Sequence, residues 1–139
     1  QTVFKSLNKK MKIEHIAIWV DDLEKMRQFY RTYFNVSCGE KYVNPKKQYA
    51  SYFLSFGPGQ SRIELMHRPD IGENTGKRGF TKGLAHLSLS LGSKEAVNQL
   101  TERLRKADYT IASEPRTTGD GYYESAVLDP EGNYIELLA

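Results

Sequence analysis

Cysteine is nearly absent from this chain of 139 residues, Cys38 being the single example. One thiol excludes a disulfide framework and any cysteine-based zinc motif, and it suits a reducing, cytoplasmic setting in which Cys38 is a free structural thiol. Long apolar runs are also lacking. The longest near the start is Ile16 to Val20, far short of a membrane span or a signal-peptide core. Charge of one sign is scarce: the formal net charge is +3, spread through mixed-sign segments, which argues against nucleic acid or an anionic membrane as partner. Lys46, Lys47, Lys77, Arg78 and Lys82 read first as a solvated surface, and second as cations ringing the mouth of a site for an anionic ligand. Residues 1–10 begin without Met and run polar and basic into Met11. They read as a leader or an expression remnant and stand outside the fold argument.

What is there is written twice. His15-Ile-Ala-Ile-Trp-Val20 and His86-Leu-Ser-Leu-Ser-Leu91 are alternating strands 71 positions apart, and Ile63-Glu64-Leu65-Met66 matches Ile135-Glu136-Leu137-Leu138 at an offset of 72. After the first strand, Asp21 with Glu24 gives a capping-box start, followed by a helical stripe of Leu23, Met26, Phe29, Tyr30, Tyr33 and Phe34. In the second half Ser93 is the expected N-cap of a helix with Ala96, Val97, Leu100, Leu104 and Ala107 on its apolar face. Tyr49 to Phe56 and Ser61 to Met66 flank Gly57-Pro58-Gly59 as a hairpin. Tyr122 to Leu128 and Tyr134 to Leu138 flank Asp129-Pro130-Glu131-Gly132-Asn133 in the same way. Second strands are expected near Cys38 to Val43 and Thr110 to Ser113.

Each half therefore reads β-α-β-β-β, and the class is α+β. The expected organisation is a first module over 11–67, a linker or loop over 68–82 and a second module over 83–139. A module of about 65 residues with a one-sided sheet is marginal alone, so pairing of modules, within a chain or between chains, is the natural way to cover it.

Alternation puts His15 on a face with Ala17 and Trp19, and His86 on a face with Ser88 and Ser90. Glu64 and Glu136 each lie between apolar neighbours that point the other way. Singly, a histidine in a strand is an ordinary hydrogen-bonded residue, and Glu64 has Arg62 as a possible ion-pair partner. Buried unpaired carboxylates are costly, however. The recurrence of one His on the first strand and one Glu on the last strand of each half is hard to ascribe to independent accidents. Two imidazoles and two carboxylates form a mixed N/O donor set suited to one divalent ion: Zn, Ni, Co, Mn or Fe.

Those positions, with Asp21-Asp22-Leu23-Glu24 and Phe29-Tyr30, Arg62-Ile-Glu64-Leu, Gly83-Leu-Ala-His86-Leu, and Asp129-Pro-Glu-Gly-Asn133-Tyr-Ile-Glu136-Leu, resemble the vicinal oxygen chelate superfamily in its glyoxalase I-like branch. The likeness covers residues 11–139. It implies two paired βαβββ modules in a curved mixed sheet or half-barrel, a metal held by His15, Glu64, His86 and Glu136, and a homodimer acting on a small molecule. Dioxygenases and fosfomycin-resistance enzymes of the superfamily typically use two His and one Glu. Methylmalonyl-CoA epimerases usually have Gln where this chain has Glu64, and bleomycin-binding members generally lack the set. The implied activity is a lyase or isomerase of the lactoylglutathione lyase type, moving a proton through a metal-stabilised ene-diolate with Glu136 or Glu64 as base. The alternatives are an iron dioxygenase or a non-catalytic binding member on the same scaffold. Two positions depart from the glutathione-dependent pattern: Trp19 stands where Arg is common, and Arg68 where Asn is common. Trp19, Arg68 and Tyr122 are the expected substrate contacts.

Overall fold

A computed structural model describes residues 11–73 and 75–139. The expected leader over 1–10 lies outside the described residues. Contacts divide the chain into two compact units, the first ending at Ile71 and the second running Gly72–Ala139.

In the first unit, β1 (His15–Trp19) is followed by α1 (Leu23–Phe34), then β2 (Ser37–Cys38), β3 (Tyr42–Asn44), β4 (Tyr49–Ser55) and β5 (Arg62–His67). The strands form a five-stranded mixed sheet in the order β1-β5-β4-β2, with β3 also paired to β4. In the second unit, β6 (Leu87–Ser90), α2 (Lys94–Lys106), β7 (Ile111–Thr117), β8 (Tyr123–Leu128) and β9 (Tyr134–Leu138) build a four-stranded mixed sheet in the order β6-β9-β8-β7. In both sheets the first strand runs parallel to the last and the last antiparallel to the one before it. The class is α+β, as the sequence pattern indicates, with both sheets open.

The helix α1 buries Leu23, Met26, Phe29, Tyr30 and Phe34. It covers the sheet face on which Tyr52, Leu54, Ile63 and Leu65 are also buried. Its N-cap is Asp22, not Asp21: the Asp22 side chain accepts from the Lys25 amide at 3.0 Å. Glu24 does not complete a capping box. With the cap at Asp22, the position three residues on is Lys25, and the Glu24 carboxylate instead accepts a 2.6 Å hydrogen bond from the Tyr52 hydroxyl and lies 3.6 Å from Lys41. The helix ends at Asn35 in a left-handed conformation (φ 51°), which asparagine tolerates better than most residues.

Ser93 caps α2 as expected, accepting from the Ala96 amide at 3.1 Å. The buried face of α2 is Val97, Thr101 and Leu104, with Val127, Ile135 and Leu137 buried on the sheet. Thr101 replaces the expected Leu100 at the centre, and Ala107 is the helix C-cap. A threonine is admitted there because its hydroxyl donates to the Val97 carbonyl at 2.6 Å and meets the Ser125 hydroxyl at 2.8 Å.

Two strand expectations are corrected. The single strand near Cys38 to Val43 is two short strands, because Gly39-Glu40-Lys41 combines residues with little preference for a pleated surface. The strand expected over Thr110 to Ser113 extends to Thr117, through Pro115. This is tolerated because β7 is an edge strand and its register slips between Ser113 and Arg116, where Pro115 falls.

Candidate metal half-sites

Strand register explains how each unit brings one histidine to one glutamate. In the parallel β1/β5 pair, Ala17 lies opposite Glu64. His15, two residues before Ala17, shares that face and sits diagonally across from the carboxylate. In the parallel β6/β9 pair, Ser88 lies opposite Glu136, with His86 two residues before it. Ile63, Leu65, Ile135 and Leu137 are buried on the opposite face against the helices, so alternation turns both glutamates away from the core. His15 Nε2 stands 3.7 Å from Glu64 Oε1, and His86 Nε2 stands 3.0 Å from Glu136 Oε1. The imidazoles are about two-fifths exposed, whereas the carboxylates are 14% and 25% exposed. Water and ligand can therefore reach the nitrogens while the carboxylates stay partly desolvated.

The groups around each pair differ. His15 Nδ1 faces Glu14 Oε1 at 3.1 Å, and Arg62 Nε donates to the same Glu14 oxygen at 3.1 Å. The Arg62 guanidinium, and next the His15 ring, hold the Glu14 carboxyl below the ordinary glutamate value. Arg62 is thus committed to Glu14 and to the Phe53 ring, 4.0 Å from its centroid, not to Glu64. Glu64 instead accepts from the Tyr49 hydroxyl at 3.0 Å. Burial, and to a lesser degree Glu64 itself, pushes the Tyr49 phenol up from its ordinary value. Glu136 accepts from the Ser88 hydroxyl at 2.6 Å, a contact denied to Glu64 because Ala17 occupies the equivalent place.

The donor chemistry suits a divalent ion. Each pair offers one imidazole nitrogen and one carboxylate, and in the first unit a second carboxylate turns the ring so that Nε2 faces Glu64, the usual outer support of a ligating histidine. Among the described residues no group of three or more His, Cys, Asp or Glu side chains is close enough to hold a metal. Each unit by itself brings one histidine and one glutamate together.

Trp19 and Arg68, the two departures noted in the sequence, are brought together: the guanidinium carbon of Arg68 lies 5.4 Å from the Trp19 ring centroid. Trp19 also meets Tyr49 edge-on at 6.3 Å, which connects both residues to the Glu64 pair. Tyr122 is exposed in the turn before β8, and no contact of its ring draws it to His86 or Glu136 among the described residues. Three neighbours escaped the sequence reading. Tyr49 was read only as part of a strand, Ser88 only as an odd companion for His86, and Glu124 not at all. Burial, and then the charge of Glu136, push the Glu124 carboxyl above its ordinary value. Strand parity alone could have flagged Tyr49, since it shares the face of Phe53, which lies opposite Glu64.

Comparison with known proteins places this geometry. The profile of the Glyoxalase/Bleomycin resistance protein/Dioxygenase superfamily matches residues 12–137. Methylmalonyl-CoA epimerase of Bos taurus is 26% identical over 113 residues, 78% of this chain but only 61% of the epimerase's length. A probable lactoylglutathione lyase of Vibrio cholerae is 28% identical over 130 residues, 91% of this chain and 89% of that protein. The structure of a trypanothione-dependent glyoxalase I from Leishmania major superposes with a TM-score of 0.70 at 27% identity, covering 93% of this chain and 86% of that one.

Proposed function

The chain belongs to the Glyoxalase/Bleomycin resistance protein/Dioxygenase superfamily, and on that premise we propose that it is a divalent-metal-dependent lyase or isomerase of the lactoylglutathione lyase type. The observation that carries the reading is the repeated half-site, a His and a Glu at the same register of the same parallel strand pair in each unit, 3.7 Å and 3.0 Å apart. Two such pairs make a four-ligand set, His15, Glu64, His86 and Glu136, with positions left over on an octahedral ion for substrate. The assembly proposed is a homodimer, in which modules of two chains pair and cover one another's open sheet faces. Relatives named lactoylglutathione lyase support the reaction class, and Glu64 favours it over the epimerase, whose usual residue there is Gln.

The substrate proposed is a thiol hemithioacetal, in which a carbon bearing sulfur and hydroxyl adjoins a carbonyl. A divalent ion held by the four residues would supply positive charge beside the two vicinal oxygens as negative charge grows on them. The proton work falls to the protein. A glutamate carboxylate takes the proton from the hydroxyl-bearing carbon and returns it to the neighbouring carbonyl carbon, while the hydroxyl proton passes to the former carbonyl oxygen, so that a thioester of a 2-hydroxy acid is formed with no net gain or loss of atoms. Glu136 and Glu64 are the candidates. Glu136 is the more exposed of the two, and each accepts from a hydroxyl, Glu136 from Ser88 at 2.6 Å and Glu64 from Tyr49 at 3.0 Å. Trp19, with Arg68 over its ring, is the proposed substrate contact on the His15 side.

The test is the isomerase assay on the hemithioacetal of methylglyoxal and glutathione, run anaerobically with Ni, Co, Zn, Mn or Fe restored to chelator-treated protein. Turnover without oxygen, lost in Glu136→Gln, is the expected result. Turnover that requires iron and consumes oxygen would replace this reading with an oxygenase. Ligand binding that survives Glu136→Gln, with no turnover of any kind, would replace it with a binding protein.

A further inference from the structure

The two half-sites share a strand register but not the residues behind their histidines. Glu14 precedes His15 and presents Oε1 to its Nδ1 at 3.1 Å. Arg62, directly opposite His15 in the parallel β1/β5 pair, donates to that same oxygen from Nε at 3.1 Å and from Nη2 at 2.5 Å. The Arg62 guanidinium carbon lies 4.0 Å from the Phe53 ring centroid, and Phe53 meets the His15 ring edge-on at 5.2 Å. Glu14, Arg62 and Phe53 thus close a circuit of contacts around the imidazole. In the second unit the corresponding positions hold other residues. Ala85 precedes His86, and Tyr134 stands before Glu136 as Arg62 stands before Glu64. Ala126 lies opposite Glu136 as Phe53 lies opposite Glu64. None of these three offers a carboxylate to the ring or a cation to hold one.

This difference sets which ring nitrogen carries the proton. An ionised carboxylate only accepts hydrogen bonds, so Glu14 makes His15 Nδ1 the donor, and the lone pair of the neutral ring falls on Nε2. That nitrogen faces Glu64 at 3.7 Å, beyond hydrogen-bond reach, with its lone pair ready for an ion. His86 Nε2 lies 3.0 Å from Glu136 Oε1, within hydrogen-bond reach, so there the proton sits on Nε2, between the two groups that are to ligate. For His86 to become a ligand that proton must leave for solvent or give way to one on Nδ1. His15 needs no such change.

We propose that Glu14 is a positioning residue, braced by Arg62 and Phe53, that presets His15 as a metal ligand, whereas His86 must change tautomer to become one; the inference rests on the ligand set proposed above. A carboxylate on the far nitrogen of a ligating imidazole fixes its tautomer and orientation and raises its basicity. A guanidinium stacked on an aromatic face is pre-organised for holding that carboxylate, as a lysine would not be.

Nitrogen-15 NMR of the imidazoles tests it on the full chain, chelator-treated and then zinc-loaded, at about pH 8, where an ordinary imidazole is neutral. His67 is the internal reference: its Nδ1 lies 2.9 Å from the Val20 carbonyl oxygen, which can only accept. That contact joins the ends of β1 and β5, so an unchanged His67 signal shows that the strand pair is intact in a variant. The chelator-treated wild type should carry its proton on Nδ1 in His15 and on Nε2 in His86, and zinc should switch His86 alone. In Glu14→Ala, His15 should become a mixture of tautomers, and zinc affinity in dye competition should fall about 10–100-fold. Arg62→Leu should shift both in the same direction by less, and Glu14→Gln, which keeps an acceptor oxygen, should restore most of the tautomer preference. Glu102→Ala removes the same charge from the exposed side of α2 and should change neither. The proposal is overturned if wild-type His15 carries its proton on Nε2, or if Glu14→Ala alters neither tautomer nor affinity; in the second case zinc binding by the wild type leaves the ligand set standing. A wild type that takes up no zinc overturns both. Zinc binding that depends on Glu14, together with a silent isomerase assay, would refute the reaction and leave the positioning role in place.

Discussion

Tyr49→Phe removes one oxygen atom and leaves the ring that packs edge-on against Trp19. The oxygen it removes donates to Glu64 at 3.0 Å in a partly buried setting. A hydrogen bond to an ionised acceptor contributes about 1.5–3 kcal/mol. Loss of an outer partner of a metal ligand typically weakens metal binding about 10–100-fold, which corresponds to about 1.4–2.7 kcal/mol. Two independent routes therefore agree on a loss of one to two orders of magnitude in metal affinity. The assay is competition between chelator-treated protein and a metal-sensitive dye. Tyr122→Phe is the control, because Tyr122 occupies the corresponding place in the second unit yet is 56% exposed, and it should bind metal as the wild type does. The reasoning is refuted if Tyr49→Phe retains wild-type affinity, or if Tyr122→Phe loses as much.

Gly79→Ala should destabilise the fold by about 1–3 kcal/mol in a denaturant titration: Gly79 has φ 84°, and an added Cβ would lie 2.8 Å from the Ala85 carbonyl oxygen. Gly72→Ala, with open space around the added atom and no positive φ, should stay within about 0.5 kcal/mol of wild type. Glu124→Gln should raise the melting temperature of metal-free protein at pH 7. Burial and Glu136 raise the folded-state pKa of Glu124, so the native chain binds more protons than the unfolded one as pH rises through that range. Stability is lost there as pH rises. The gain should be under about 1 kcal/mol for a half-buried group and should vanish below about pH 4, where both states are protonated. In mixing experiments, inactive His15→Ala and inactive Glu136→Ala proteins should regain part of their activity when their dimers are exchanged, and no recovery would argue against a site shared between chains.

Much of this was legible because the chain states its plan twice. The offsets of 71 between His15 and His86 and 72 between Glu64 and Glu136 match the parallel first-to-last strand pairing seen in both sheets, the single extra residue being absorbed between the paired strands. Alternation around Ile63 and Leu65 likewise gave the direction in which Glu64 points. What stayed hidden was decided by partners distant in sequence. Glu24 is engaged by Tyr52, which lies on β4. Thr101 enters the core only because Ser125 lies across from it. Ser88 holds Glu136 from the directly opposed strand position, whereas Ala17 at the equivalent place offers Glu64 no hydroxyl and Tyr49 of β4 donates to it. Pro115 would end a central strand and is passed through here because the strand is at an edge.

The central claim, that His15, Glu64, His86 and Glu136 act together as the ligands of one ion, is tested most directly by elemental analysis of tag-free protein, wild type beside His15→Ala/Glu64→Ala and His86→Ala/Glu136→Ala. One divalent ion per chain in the wild type, lost from both double variants, is the expected result. Retention of metal by either double variant would show that one pair suffices, and a metal-free wild type after reconstitution would contradict the claim outright.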